Sequence, residues 1–203
     1  MYQLEPLPYL YQDLEPYMDT HTMGLHYHKH AQNYLNKLNQ LLVKNNADHQ
    51  YSITELPQHI EEFSQSDRED ILFNLGGVLN HDIYFKSMSQ NPTQASPELK
   101  EGIINDFGSI DSFKQQLKQL ALSLKGSGYT FLVMDQNNRL ILMNFLNQET
   151  PYSYNLIPLI ALDLWEHAYY INYENKKDLY IDNFLEVMDF KNSNQVFKAQ
   201  SKS

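Results

Sequence analysis

Apolar residues fall at helical spacing through the first half of the chain and gather into short unbroken runs only in the second. Leu25, Leu35, Leu38, Leu41 and Leu42 mark one face of a helix from about residue 19 to 42, with Asp19 or Thr20 a fitting N-cap. Before it, Pro6, Pro8 and Pro16 stand among Tyr9, Tyr11 and Tyr17. This reads as an extended arm lying on something else, because proline interrupts helices and strand ladders alike. Residues 44–52 are polar and read as a loop, and 53–63 hold a short helix after Pro57. Ser66-Asp67-Arg68-Glu69 has the spacing of a capping box and predicts a helix to about Ser87. Its apolar face is Ile71, Leu72, Leu75, Val78, Leu79 and Ile83. Gly76-Gly77 sits in its middle at a cost of about 1 kcal/mol per glycine against alanine. The pair therefore predicts a close approach by another element, or room left for a ligand.

Asn91-Pro92-Thr93-Gln94 ends helical order and reads as a linker. Ser96 followed by Pro97 opens a helix to about Phe107. A second helix runs from about 111 to 125, with Phe113, Leu117, Leu120 and Leu124 inward, and Gly126-Ser127-Gly128 stops it. The period then changes. Residues 129–134 and 140–145 read as strands around the turn residues 135–139, and the run 156–162 has the length of a third, buried strand. Residues 176–190 and a short stretch near Gln195 return to helix. The expected class is α+β: an N-terminal helical hairpin domain over 1–89, then a mixed domain over 90–203 with a three-stranded antiparallel sheet and helices.

Hydrophobic residues are 42% and charged residues 20% of the 203, enough apolar surface for a folded core. A net charge of −10 argues against nucleic acid and anionic membranes as partners. Arg68 and Arg139 are the only arginines, which makes bidentate phosphate clamps a poor expectation. The absence of cysteine excludes disulfides, thiolate metal sites and a cysteine nucleophile. No apolar stretch reaches bilayer length, and Met1–Pro6 lacks the features of a secretory signal, so the expectation is a cytoplasmic protein.

Eight histidines and fifteen tyrosines are the compositional oddity. His26, His30 and Tyr34 recur every four residues along one helix face, whereas His21 and His28 point elsewhere. The stripe suits either a polar site or three rings packed between helices. His81 lies one turn after the glycine pair, where a structural role is equally open. Asp163 ends the third apolar run and precedes His167 by four residues, so a helix starting at Asp163 would put both on one face. The alternative is an Asp163 N-cap and a core histidine. Taken together, His26, His81, Asp163 and His167 make a three-histidine, one-aspartate shell, which suits redox-active Mn or Fe and also tolerates zinc.

With these pieces in order, the chain resembles the iron/manganese superoxide dismutase family over almost its whole length. Asp163-Leu164-Trp165-Glu166-His167-Ala168-Tyr169-Tyr170 is similar to that family's D-x-W-E-H-A-Y-Y motif. His26 to Tyr34 resembles its H-x-x-K-H-x-x-x-Y motif, and Asn80-His81 and Gly126-Ser127-Gly128 match further family positions. The resemblance implies one Mn, or alternatively Fe, per subunit, held by His26, His81, Asp163 and His167. It implies superoxide as substrate, a gateway of His30 and Tyr34, and a homodimer, with a tetramer possible. Glu166 would reach a ligand histidine of the partner subunit, and Tyr170 would reach that subunit's copy of residue 30. Gln148 matches the amide of the manganese type, while the iron type's position falls on Gly77. The chain departs from the family at Phe85, Tyr129 and Phe131, where tryptophans are usual, and carries Lys176-Lys177 where arginines are common. Lys29 is a candidate for steering the anionic substrate. The competing readings are a zinc-dependent hydrolase, for which no HExxH-like base is present, and a non-catalytic metal-binding protein.

Overall fold

A computed structural model describes residues 1–47 and 51–200. Helix α1 (Thr20–Leu25) leads through a π-helical turn, His26–Ala31, into α2 (Gln32–Lys44). Helix α3 (Arg68–Lys86) packs antiparallel to this unit as the second arm of a hairpin, and a 3-10 segment, Leu56–Glu62, lies between them in sequence. Then come α4 (Pro97–Phe107), α5 (Ile110–Ser123), the strands β1 (Gly128–Met134), β2 (Leu140–Leu146) and β3 (Ile157–Asp163), and the helices α6 (Glu166–Tyr173), α7 (Lys177–Val187) and α8 (Lys191–Gln200). The class is α+β with a three-stranded antiparallel sheet, in the order β2-β1-β3. Part of the loop expected over 44–52 lies outside the described residues.

Local chemistry explains the starts. The Asp19 carboxylate accepts from the backbone N–H groups of His21 and Thr22. Ser96 accepts from Leu99 N–H, with Pro97 in the first turn. The capping box at Ser66–Glu69 does not form. Asp67 is the N-cap, yet its buried carboxylate accepts from Lys44 Nζ at 2.6 Å and Asn45 Nδ2 at 3.0 Å. It ties the start of α3 to the end of α2 instead of capping its own helix. The N-terminal arm is extended as far as a 3-10 turn at Tyr11–Leu14 and lies on the helices. Tyr9 Oη donates to the Phe85 carbonyl at 2.9 Å, and Tyr27 Oη donates to the Glu5 carbonyl at 2.9 Å.

Helix α3 is not a one-sided helix. Every residue from Asn74 to Met88 is buried except Asp82 and Lys86. It faces α2 through Leu75, Val78 and Leu79, which join Leu35, Leu38 and Leu42 in one apolar cluster. Its later turns carry Ile83, Tyr84 and Phe85 into the larger cluster built around the sheet. The sheet lies against this end of α3. In the β1–β3 register Tyr129 stands opposite Asp163, so both side chains share one face.

The glycine pair is explained by close approach. A side chain at Gly76 would overlap the carbonyl of Gln148, and one at Gly77 would overlap the ring of Tyr34. Helix propensity favours alanine over glycine by about 1 kcal/mol, while overpacking against main chain costs about 1–3 kcal/mol or more. Gly76→Ala should therefore lower the thermal midpoint. A midpoint equal to or above the parent's would show that the loop bearing Gln148 yields freely.

Candidate metal centre

Four side chains converge where the hairpin meets the sheet. One donor atom from each of His26, His81, Asp163 and His167 lies within 4.8 Å of the other three. The Asp163 Oδ2 atom is the hub, 3.1 Å from His26 Nε2, 3.5 Å from His167 Nε2 and 3.8 Å from His81 Nε2. His26, His81 and Asp163 are wholly buried. His167 is nearly so.

Each side chain is aimed by its neighbours. Asp163 ends β3, and its Oδ1 accepts from Trp165 N–H at 2.8 Å. Its backbone carbonyl accepts from the Tyr180 hydroxyl at 2.8 Å. The expectation of one helix bearing both Asp163 and His167 fails here. The helix begins at Glu166, and a strand-end turn brings the two together. The His81 Nδ1 hydrogen is given to the Gly77 carbonyl one turn back, which leaves Nε2 to face the cluster. That is the tautomer a ligand histidine needs. His26 sits in the π turn, a winding rare in general and frequent at functional sites. Tyr84 and Phe85 pack on its ring at centroid distances of 5.2 Å each. Trp165 stacks on His167 at 5.5 Å from one side and His30 at 4.1 Å from the other.

The electrostatics fit a cation. Burial lowers the pKa of His26 to about 4, against the opposing hydrogen bond from Asp163. Burial likewise holds His81 well below the usual histidine range. Burial alone would raise Asp163, but His167 and His26 outweigh it and keep the carboxyl well below the usual carboxylate range. The result is a buried anion beside two imidazoles, His26 and His81, that burial keeps neutral. His81 Nε2 and His167 Nε2 have no hydrogen-bond partner. Buried polar atoms without partners are costly, and a divalent ion among these four donors would satisfy them all.

Around this cluster, Gln148 is buried and its Nε2 donates to Tyr34 Oη at 3.1 Å. Asn80 Nδ2 donates to the Glu149 carbonyl at 2.9 Å and so holds the loop that carries Gln148. Tyr34 is half-buried, and desolvation raises its pKa above the usual value. Desolvation also lowers that of half-buried His30. His30 and Tyr34 line an open cavity of about 520 Å³ whose rim includes Lys29 and Lys37. His21 and His28 lie at the surface, and His28 Nε2 bonds Tyr11 Oη at 2.6 Å. Glu166 and Tyr170 are exposed on α6 and take no part in the cluster within one chain. Lys177 Nζ donates to the Leu124 carbonyl at 3.3 Å. Sequence reading missed Tyr84 and Tyr180, the latter bracing Asp163. Their only signal is the unusual number of tyrosines near the histidines.

Comparison with known proteins gives two family models. The alpha-hairpin domain of iron/manganese superoxide dismutases matches residues 1–89, and the C-terminal domain of the same proteins matches 95–196. A superoxide dismutase [Mn] of Listeria innocua serovar 6a is 35% identical over 199 residues, 98% of each chain. One from Buchnera aphidicola subsp. Acyrthosiphon pisum is 38% identical over 195 residues, 93% of this chain and 95% of that one.

Proposed function

This chain belongs to the iron/manganese superoxide dismutase family, and within it we propose that His26, His81, Asp163 and His167 hold one manganese ion per subunit. The protein is an oxidoreductase that converts two superoxide anions and two protons to dioxygen and hydrogen peroxide. The observation that carries the ligand assignment is the set of four buried donor atoms within 4.8 Å. A manganese or iron ion bound there supplies one-electron exchange, oxidising one superoxide and reducing the next.

The chain's own residues supply the rest. Asp163 contributes the charge that neutralises part of the ion, and its three contacts fix the imidazoles around it. Tyr34 and Gln148 form the polar pair between the cluster and the open cavity, and the raised pKa of Tyr34 keeps its hydroxyl protonated as a donor. Peroxide formation needs such a donor where water is scarce. Lys29 and Lys37 give the approach local positive charge on a protein of net charge −10, which favours entry of an anion. Manganese is favoured over iron because the amide facing the centre comes from Gln148, whereas Gly77 has no side chain to offer. Both named relatives are manganese proteins. A zinc hydrolase or a passive metal-binding protein is not favoured by the family or by the site.

The same reading divides the chain into a helical hairpin domain, 1–89, and a mixed domain, 90–203. It also makes the protein a homodimer. Glu166 and Tyr170 are polar, exposed and next to His167, a position suited to reaching a second subunit's site. Glu166→Ala should weaken self-association and lower activity together, measured by sedimentation and superoxide consumption. A stable, fully active monomer would remove the interface.

For the metal, Gln148→Ala should keep stoichiometric binding while turnover falls about 10–100-fold, the scale for losing a partner just beyond the ligands. Manganese-reconstituted protein should be clearly more active than iron-reconstituted protein. A more active iron form would overturn the manganese assignment and leave the dismutase intact.

A further inference from the structure

Helix α3 is buried from Asn74 to Met88 except at Asp82 and Lys86. These two pair across one turn, Lys86 Nζ to Asp82 Oδ2 at 2.8 Å. Both line a cavity of about 380 Å³ that lies between α3 and the N-terminal arm, residues 1–8. Small-molecule sites start at about this size, near 300 Å³. Val78, Leu79 and Phe85 give the cavity apolar surface, and Tyr27 and Tyr152 add two phenols.

The polar atoms left over in this cavity are acceptors. Asp82 gives Oδ2 to Lys86, and its Oδ1 has no partner among the described residues. The Tyr27 hydroxyl hydrogen goes to the Glu5 carbonyl at 2.9 Å, so Tyr27 Oη keeps only its capacity to accept. Tyr152 bonds through its backbone carbonyl to Gln58, and its hydroxyl has no partner among the described residues. Burial, with Asp82 nearby, pushes that phenol up to about 12, so it stays a neutral hydroxyl. Among the charged side chains lining the cavity, Asp82 and Glu5 are acids, and Lys86 is the one cation and is already paired.

We propose that this cavity binds a primary ammonium ion on an aryl-alkyl body, its N–H groups on Asp82 Oδ1, Tyr27 Oη and Tyr152 Oη and its body against Val78, Leu79 and Phe85. An ammonium has three donors and no acceptor, which matches three acceptors without a donor to spare. Aromatic faces attract cations as well as apolar groups. An anion would face two carboxylates, and a neutral alcohol could fill only one of the three acceptors. The site uses no donor atom of the metal cluster and stands apart from the ligand assignment.

The test is calorimetric titration of the metal-loaded protein with phenethylammonium at neutral pH. One ion per chain should bind saturably. Phenethyl alcohol and hydrocinnamate, the neutral and anionic analogues, should bind about tenfold more weakly or less, since they lose the charge-assisted bonds. Asp82→Asn keeps the shape and removes the charge, and should weaken binding by about tenfold on the same ground. Tyr152→Phe should weaken it by a smaller factor. Circular dichroism and metal content show whether each variant folds as the parent does. Absence of saturable binding, an analogue that binds as well as the ammonium, or parent-like affinity in folded Asp82→Asn overturns the proposal. So do several weakly bound ions per chain, alike in parent and variant, which would show attraction to the acidic surface alone. If Asp82→Asn does not fold, Tyr152→Phe decides, and parent-like affinity there is the contradicting result.

Discussion

A carboxylate with no exposed surface is the constraint from which the rest of the structure follows. Moving such a charge out of water costs several kcal/mol unless it is paired. Among the described residues no lysine or arginine pairs with Asp163. Its oxygens face a backbone N–H and three imidazoles, two of which burial itself holds neutral. A cation among these donors would complete the pairing, since His81 Nε2 and His167 Nε2 have no hydrogen-bond partner. Binding energy at such a site becomes folding energy, since the unfolded chain holds no such cluster.

The surrounding fold can be read as the means of bringing those donors together. Asp163 comes from the end of β3, His167 from the first turn of α6, His26 from a π turn in the first helical arm and His81 from the second. These positions are far apart in sequence, so the hairpin and the sheet must dock closely. Gly76 and Gly77 permit it, the first against the Gln148 carbonyl and the second beneath the Tyr34 ring. The helix accepts weaker intrinsic stability at two positions. In return the Gln148 amide and the Tyr34 phenol reach hydrogen-bond distance beside the cluster.

Much of this was legible because the determining signals are local. Ser96-Pro97 marks a helix start by cap chemistry alone, and Asp135 to Arg139 marks a hairpin by turn residues. The glycine pair, costly in a helix interior, announced a close approach. Other features depend on partners distant in sequence. The Ser66–Glu69 capping box does not form, and the N-cap Asp67 turns its carboxylate to Lys44 and Asn45 instead. The π winding at His26–Ala31 leaves no mark in a four-residue periodicity that an α-helix would also produce. Asp163 and His167 are close, as their spacing suggested, but through a strand end and not along a helix. Tyr180 bracing the Asp163 carbonyl has no signal beyond the number of tyrosines, and Glu166 and Tyr170 are exposed and lie outside the cluster.

Anomalous diffraction from crystals of the metal-loaded protein, recorded at the manganese and iron absorption edges, tests the centre most directly. A single peak per subunit among His26, His81, Asp163 and His167, strong at the manganese edge, is the required result. A peak at another place, or a fully active protein with no peak among those four side chains, would contradict it.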